Sequence, residues 1–143
     1  MDNIIFICTG NTCRSPMAEG LFRAHGGEEK TGLAVASAGL FTQDGIPASE
    51  NAVTAAKELG ADISAHRSRM LTHEMAQSAR YLVCMTGAHY DRVCEMFPDC
   101  ADKVFTLTQR DVSDPFGGDL ETYRRAAAEI DAGVRSIIER LSA

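Results

Sequence analysis

Apolar positions along this chain follow two rhythms. Ile4 to Ile7 is a short unbroken run, mostly β-branched, which predicts a buried strand. From Ser15 to about Gly26 the spacing turns helical, with Met17, Ala18, Leu21, Phe22 and His25 on one face and Gly26-Gly27 as the stop. Ser15 reads as the cap of this helix and Pro16 as its first residue. Leu33 to Ser37 is a second strand candidate, followed by the Ala38-Gly39 turn and a loop carrying Leu40-Phe41. Thr42 to Pro47 is polar and turn-rich. Helical spacing returns from Ala48 to Leu59, closed by Gly60. Ile63 to Arg69 reads as loop, and Thr72 to Ser78 as a brief helix capped by Thr72. Tyr81 to Met85 is a third strand, apolar throughout. A helix then runs from Thr86-Gly87 to about Phe97 with Tyr90, Val93 and Phe97 inward. Lys103 to Leu107 is the fourth strand and Thr108 to Gly118 a long loop. The last helix spans about Asp119 to Leu141, with Leu120, Tyr123, Ala127, Ile130, Val134, Ile137, Ile138 and Leu141 as its inner stripe.

Strands alternating with helices imply an α/β fold, a four-stranded parallel sheet flanked by helices on both faces. Functional loops in such sheets lie outside the strands' carboxyl ends. Cys8, Gly39, Thr86 and the loop from Thr108 to Gly118 all emerge at that edge. No repeat, low-complexity tract or linker interrupts the chain, so residues 1–143 are expected to form a single domain.

Composition narrows the function. The chain has 143 residues, 45% hydrophobic and 24% charged, ordinary values for a soluble globular protein with a sizeable core. A net charge of −6 argues against general binding of nucleic acid or anionic membrane, so any anion site must work through a local field. Met1-Asp2-Asn3 lacks a basic leader, and no apolar run approaches a membrane span. The five cysteines are an odd number without a Cys-x-x-Cys pair, which suggests neither a disulfide framework nor a zinc site. A reducing, cytoplasmic setting is expected, with no metal or other cofactor.

The candidate chemistry sits in the first loop, Cys8-Thr9-Gly10-Asn11-Thr12-Cys13-Arg14-Ser15-Pro16. A strand feeding a tight loop that opens a helix brings backbone N–H groups and a helix N-terminus to one point, where negative charge is favoured. Gly10 and Asn11 tolerate the left-handed angles such a cradle needs. A sulfur at the strand's end, close to Arg14 and the helix mouth, is favoured as a thiolate, and the Ser15 hydroxyl could donate to it. Arg14 offers a planar fork for two phosphate oxygens. Together they describe a nucleophile aimed at phosphorus. Cys-x5-Arg alone is a weak signal, and a buried Cys beside a structural Arg is the bland alternative. A general acid is then needed for the leaving group. Asp114, followed by Pro115, is the best placed, with Asp111 and Asp119 as rivals; an Asp-Pro turn is the alternative, and Asp119 suits a helix cap.

The string from Cys8 to Pro16 resembles the signature of the low-molecular-weight protein tyrosine phosphatase family. The resemblance runs along the chain through Ser37-Ala38-Gly39, His66-Arg67-Ser68-Arg69 and Asp114-Pro115-Phe116. Thr12 and Asp114-Pro115-Phe116-Gly117-Gly118 most resemble the bacterial protein-arginine phosphatase branch. The resemblance implies a flavodoxin-like sheet of order 2-1-3-4 and phosphorylated proteins as substrates. Cys8 would be the nucleophile, Arg14 the phosphate clamp and Asp114 the proton donor. Thr9, Gly10, Asn11, Thr12, Cys13 and Ser15 would bind substrate, with a phosphocysteine intermediate. Cys13 would form a disulfide with Cys8 under oxidation, and His66 would brace the loop.

Tyrosine-specific members usually carry a larger aliphatic residue where this chain has Thr12. A guanidinium leaving group is polar and hydrogen-bonding, so an apolar wall suits it poorly. Phosphoarginine is therefore the expected substrate and phosphotyrosine the alternative, with Phe41 and Phe116 as candidate pocket walls. Three rivals rank lower. Arsenate reductases reuse this fold but need resolving cysteines where the third strand ends, and Cys84 lies inside that strand. Dual-specificity phosphatases usually place a His before the Cys, where this chain has Ile7. A phosphate-binding module would not need both Cys8 and Asp114. His25, His73 and His89 carry no readable role.

Overall fold

The computed structural model describes residues 2–142. Strand β1 (Asn3–Cys8) is followed by α1 (Arg14–Ala24), α2 (Gly27–Thr31), β2 (Ala34–Gly39), α3 (Glu50–Glu58), α4 (His73–Ser78), β3 (Ala79–Cys84), α5 (Gly87–Met96), β4 (Val104–Thr106) and α6 (Leu120–Leu141). The four strands form one parallel sheet in the order β2-β1-β3-β4, as expected. β1 lies between β2 and β3 with both of its faces covered, and that double burial is why its apolar run is continuous rather than alternating.

The pleat divides β1 between two cores. Ile4, Phe6 and Cys8 face one side and pack with Met17, Leu21 and Phe22 of α1 and Ile130 and Val134 of α6. Ile5 and Ile7 face the other and pack with Leu82, Cys84 and Val93. Phe6 and Phe22 meet edge to face with ring centres 5.8 Å apart. Of the stripe expected on the 22-residue α6, Tyr123, Ala127, Ile130, Val134 and Ile138 are buried, while Leu120, Ile137 and Leu141 are half-buried.

Several boundaries differ from the sequence pattern. Helix α1 starts at Arg14, one residue early, and Cys13 at its N-cap makes no side-chain capping bond. Ser15 is therefore not the cap; it lies inside the first turn, its hydroxyl engaged with Cys8. Gly26, at φ +72°, does end the helix region, but Gly27 opens the unanticipated α2. A Cβ at Gly27 would stand 2.6 Å from the Phe22 ring, so close packing requires glycine there. A 3-10 turn over Pro98–Lys103 shortens β4 to three residues. The segment expected as loop around Ile63 to Arg69 is pinned by bridges pairing Pro47 with Arg67 and Gly39 with Met70. Thr72 and Asp119 cap α4 and α6, accepting from the N–H groups of Met75 and Thr122.

Candidate active site

The carboxyl edge of the sheet gathers the loop after β1, the end of β2, the first turn of α5 and the segment before α6. Cys8 closes β1 and is almost fully buried. Its Sγ accepts from the backbone N–H of Asn11 at 3.3 Å and lies 2.9 Å from Ser15 Oγ. The Asn11 carboxamide decides which way that second bond runs. Asn11 Nδ2 donates to Ser15 Oγ at 2.8 Å, leaving the hydroxyl proton free to point at the sulfur. Two donors thus converge on the Cys8 sulfur.

Asn11 holds the loop from beneath. It is the one non-glycine residue with positive φ among the described residues, at +55°, a region asparagine enters more readily than most. Fully buried, it also donates from Nδ2 to Ser37 Oγ at 3.0 Å and accepts at Oδ1 from the Arg69 N–H at 3.0 Å. Ser37 Oγ in turn donates a hydrogen bond to Glu19 Oε1 at 2.6 Å. His66 Nε2 donates to the Asn11 carbonyl at 2.8 Å, the bracing contact implied for it. Asn11 and Ser15 therefore lie under the cavity rather than on its wall. Arg69 is less free than a solvated side chain, since its Nε donates to the Ser37 carbonyl at 3.1 Å.

Above the loop opens a cavity of about 670 Å³. Cys8, Thr9, Gly10, Thr12, Cys13 and Arg14 line its floor. Phe41 and Phe116, 84% and 76% exposed, line its sides, so both rings are walls and not core. The first turn of α1 contributes uncapped N–H groups, which suit an anion. Arg14 is buried and aimed by Nη1 donating to the Val112 carbonyl at 3.2 Å. Its Nη2 lies 3.7 Å from Asp114 Oδ2.

Of the three acidic candidates, Asp114 alone lines the cavity. Asp111 accepts the Gly87 N–H at 2.9 Å, and Asp119 caps α6. Asp114 Oδ1 accepts the Phe116 N–H at 3.1 Å, closing a tight turn over Pro115. That turn continues through Gly117, at φ +78°, and Gly118, whose N–H donates to the Pro115 carbonyl at 2.8 Å. The Gly-Gly pair lets the acid loop fold back directly onto the capped start of α6.

A loop of N–H groups, a buried sulfur and a carboxylate share one pocket on this topology, and a family model described as "Low molecular weight phosphotyrosine protein phosphatase" matches residues 3–143. The chain belongs to that family. A protein-arginine-phosphatase of Geobacillus stearothermophilus is 42% identical, over 96% of this chain and 95% of the relative. One from Bacillus subtilis is 39% identical, over 97% of this chain and 96% of the relative. A solved YwlE arginine phosphatase, a Cys-to-Ser mutant with a phosphorylated active-site serine, superposes with a TM-score of 0.91 at 39% identity. That superposition covers 99% of this chain and 95% of the other. The chain is thus a phosphatase, as its first loop implied.

The remaining cysteines separate by environment. Cys13 Sγ lies 3.1 Å from Ser49 Oγ and 3.4 Å from the Tyr123 hydroxyl. Burial, followed by the bond to Cys13, pushes the Tyr123 phenol up to about 12. Cys84 is sealed in the sheet and its thiol is pushed up to about 12, chiefly by burial, which leaves it unreactive as a resolving thiol.

The sequence reading missed His89. It lies in the first turn of α5, is 7% exposed, and places Nε2 2.9 Å from Thr9 Oγ1. Burial first, and the Arg14 charge second, push its imidazole down from 6.5 to about 4, so the ring is neutral. The available signal was its position: a helix's first turn after a parallel strand lies at the carboxyl edge.

Proposed function

We propose that this phosphatase removes phosphate from phosphorylated arginine residues of proteins, through a phosphocysteine intermediate. The Cys8 sulfur attacks phosphorus, and the phosphorus–nitrogen bond breaks. The departing guanidine nitrogen takes a proton from Asp114. Water then attacks the phosphocysteine while the Asp114 carboxylate accepts its proton, and the sulfur leaves with the S–P electron pair. Arg14 and the loop N–H groups hold the three phosphoryl oxygens throughout. No metal enters the scheme, since Arg14 and the oriented backbone dipoles supply the positive field.

One observation carries this reading: Cys8, at the cavity floor, takes two hydrogen-bond donors while Arg14 and Asp114 line the same space. The preference for arginine rests on Thr12, a small polar residue on that floor, and is supported by the two relatives named as protein-arginine phosphatases. Thr12 Oγ1 can hydrogen-bond a guanidinium where an aliphatic residue would instead pack on a phenyl ring. The test compares kcat/KM on phosphoarginine and phosphotyrosine peptides for the wild type and Thr12→Ile. Thr12→Ile should move the ratio toward phosphotyrosine by about tenfold or more. An unchanged ratio removes Thr12 from the specificity argument.

Two further parts of this reading concern setting and control. A reducing cytoplasmic location is supported by five unpaired cysteines, and no described helix is long and apolar enough to cross a membrane. Under peroxide the Cys8 sulfur would become a sulfenic acid, with which the Cys13 thiol condenses, releasing water and sparing the nucleophile. Cys13 would have to turn from Ser49 and Tyr123 to do so.

A further inference from the structure

His89 contacts the first loop from an element the phosphatase scheme above does not use. Its ring is neutral and buried, with one nitrogen engaged and the other not: Nε2 lies 2.9 Å from Thr9 Oγ1, while buried Nδ1 has no hydrogen-bond partner. The two neutral tautomers are not equivalent in that setting. A proton on Nδ1 would bury an unpaired N–H donor. A proton on Nε2 leaves only an unfilled lone pair at Nδ1, the less costly deficit. Nε2 therefore donates, and Thr9 Oγ1 accepts.

That direction has a consequence for the cavity. A hydroxyl whose oxygen accepts from His89 keeps its own proton to give away. Among the described residues Oγ1 has no second partner, and Thr9 is an exposed residue on the cavity floor. We propose that His89 is a positioning residue that orients the Thr9 hydroxyl, so that Thr9 donates a side-chain hydrogen bond to an oxygen of the phosphoryl group held over Cys8. This deepens the phosphatase reading and rests on it. Thr9 gains a role through its side chain as well as its N–H, and the neutral ring supplies a fixed dipole without a second cation beside Arg14. The charged groups that act on the ring are Arg14, Asp111 and Asp114: Arg14 acts with burial to keep it neutral, and together they prevail over the two carboxylates.

The test uses Thr9→Val, His89→Leu, their double variant and His89→Gln, whose amide can restore an N–H near the position of Nε2. The readouts are the inhibition constant of inorganic phosphate and kcat and KM on an aryl phosphate, with thermal melts as a fold check. Thr9→Val and His89→Leu should each weaken phosphate about tenfold, the loss expected for one hydrogen bond to a charged oxygen. The double variant should be no weaker than Thr9→Val alone, and His89→Gln should stay within about threefold of the wild type. Wild-type phosphate affinity in Thr9→Val, or fully additive losses in the double variant, would overturn the inference. Should His89→Leu fail to fold, Thr9→Val and His89→Gln still decide. A wild type that neither turns over aryl phosphate nor binds phosphate would instead bring down the phosphatase reading itself.

Discussion

His66 Nε2 reaches the backbone carbonyl of Asn11 at 2.8 Å, and because a carbonyl only accepts, the bond fixes the imidazole tautomer. It ties the segment after α3 to the reversed backbone of the first loop. Asn11 in turn divides its carboxamide among the buried Ser15 and Ser37 hydroxyls and the Arg69 N–H. The orientation of the nucleophile's neighbours thus depends on a buried polar network and not on the loop alone.

Asn11→Ala should damage both stability and turnover. It removes three hydrogen bonds, leaves buried partners unpaired and puts a Cβ-bearing residue without local compensation at positive φ. The expected cost is about 2–4 kcal/mol in urea unfolding, and kcat/KM should fall roughly a hundredfold as Ser15 loses its aim at Cys8. Wild-type unfolding and kinetics would show that the network does not organise the loop.

Asp114→Asn should discriminate between leaving groups. A phosphoarginine peptide needs its nitrogen protonated, so kcat should fall about 10²–10⁴-fold. An aryl phosphate with an acidic phenol leaves unaided and should lose far less. Equal losses on both substrates, measured side by side, would assign Asp114 a binding role instead.

Stability should carry the signature of His89. Its imidazole is held down at about 4 in the folded chain against an ordinary 6.5. Between those values the unfolded chain binds more protons than the folded one, so its contribution is whole above about pH 6.5 and is lost as pH falls toward 4. The full contribution is on the order of 3 kcal/mol. In His89→Gln the difference in unfolding free energy between pH 7 and 4.5 should shrink by roughly 2 kcal/mol; an unchanged difference would mean the ring titrates normally.

Gly39→Ala should disturb the site from the neighbouring strand. Gly39 pairs with Cys8 across β1 and β2, and an added Cβ would stand 2.7 Å from the Thr9 carbonyl and 3.1 Å from Asn11 Cβ. Backbone cannot yield as a side-chain tip does, so a loss of about 1–3 kcal/mol is expected together with reduced phosphate affinity. Calorimetry of unfolding and of phosphate binding would check both.

The sequence by itself determined the four strands, every helix except α2 and the identity of the chemical groups. Apolar runs and helical stripes are local signals, because burial on one or both faces dictates them residue by residue. The Cys8–Arg14 spacing is equally local, as strand, loop and helix mouth follow one another without a gap. Asp114 could be named for the same reason, since its loop follows β4 at the functional edge. Only the tertiary structure decided how those groups are held. Ser15 left the cap for the sulfur because Asn11 fills its acceptor site, and Asn11 is placed by Ser37, His66 and Arg69 from distant segments. His89 met Thr9 for the same reason: hydrogen bonds between elements leave no period in the chain, because their partners are chosen by the packing of the sheet and not by neighbours in sequence.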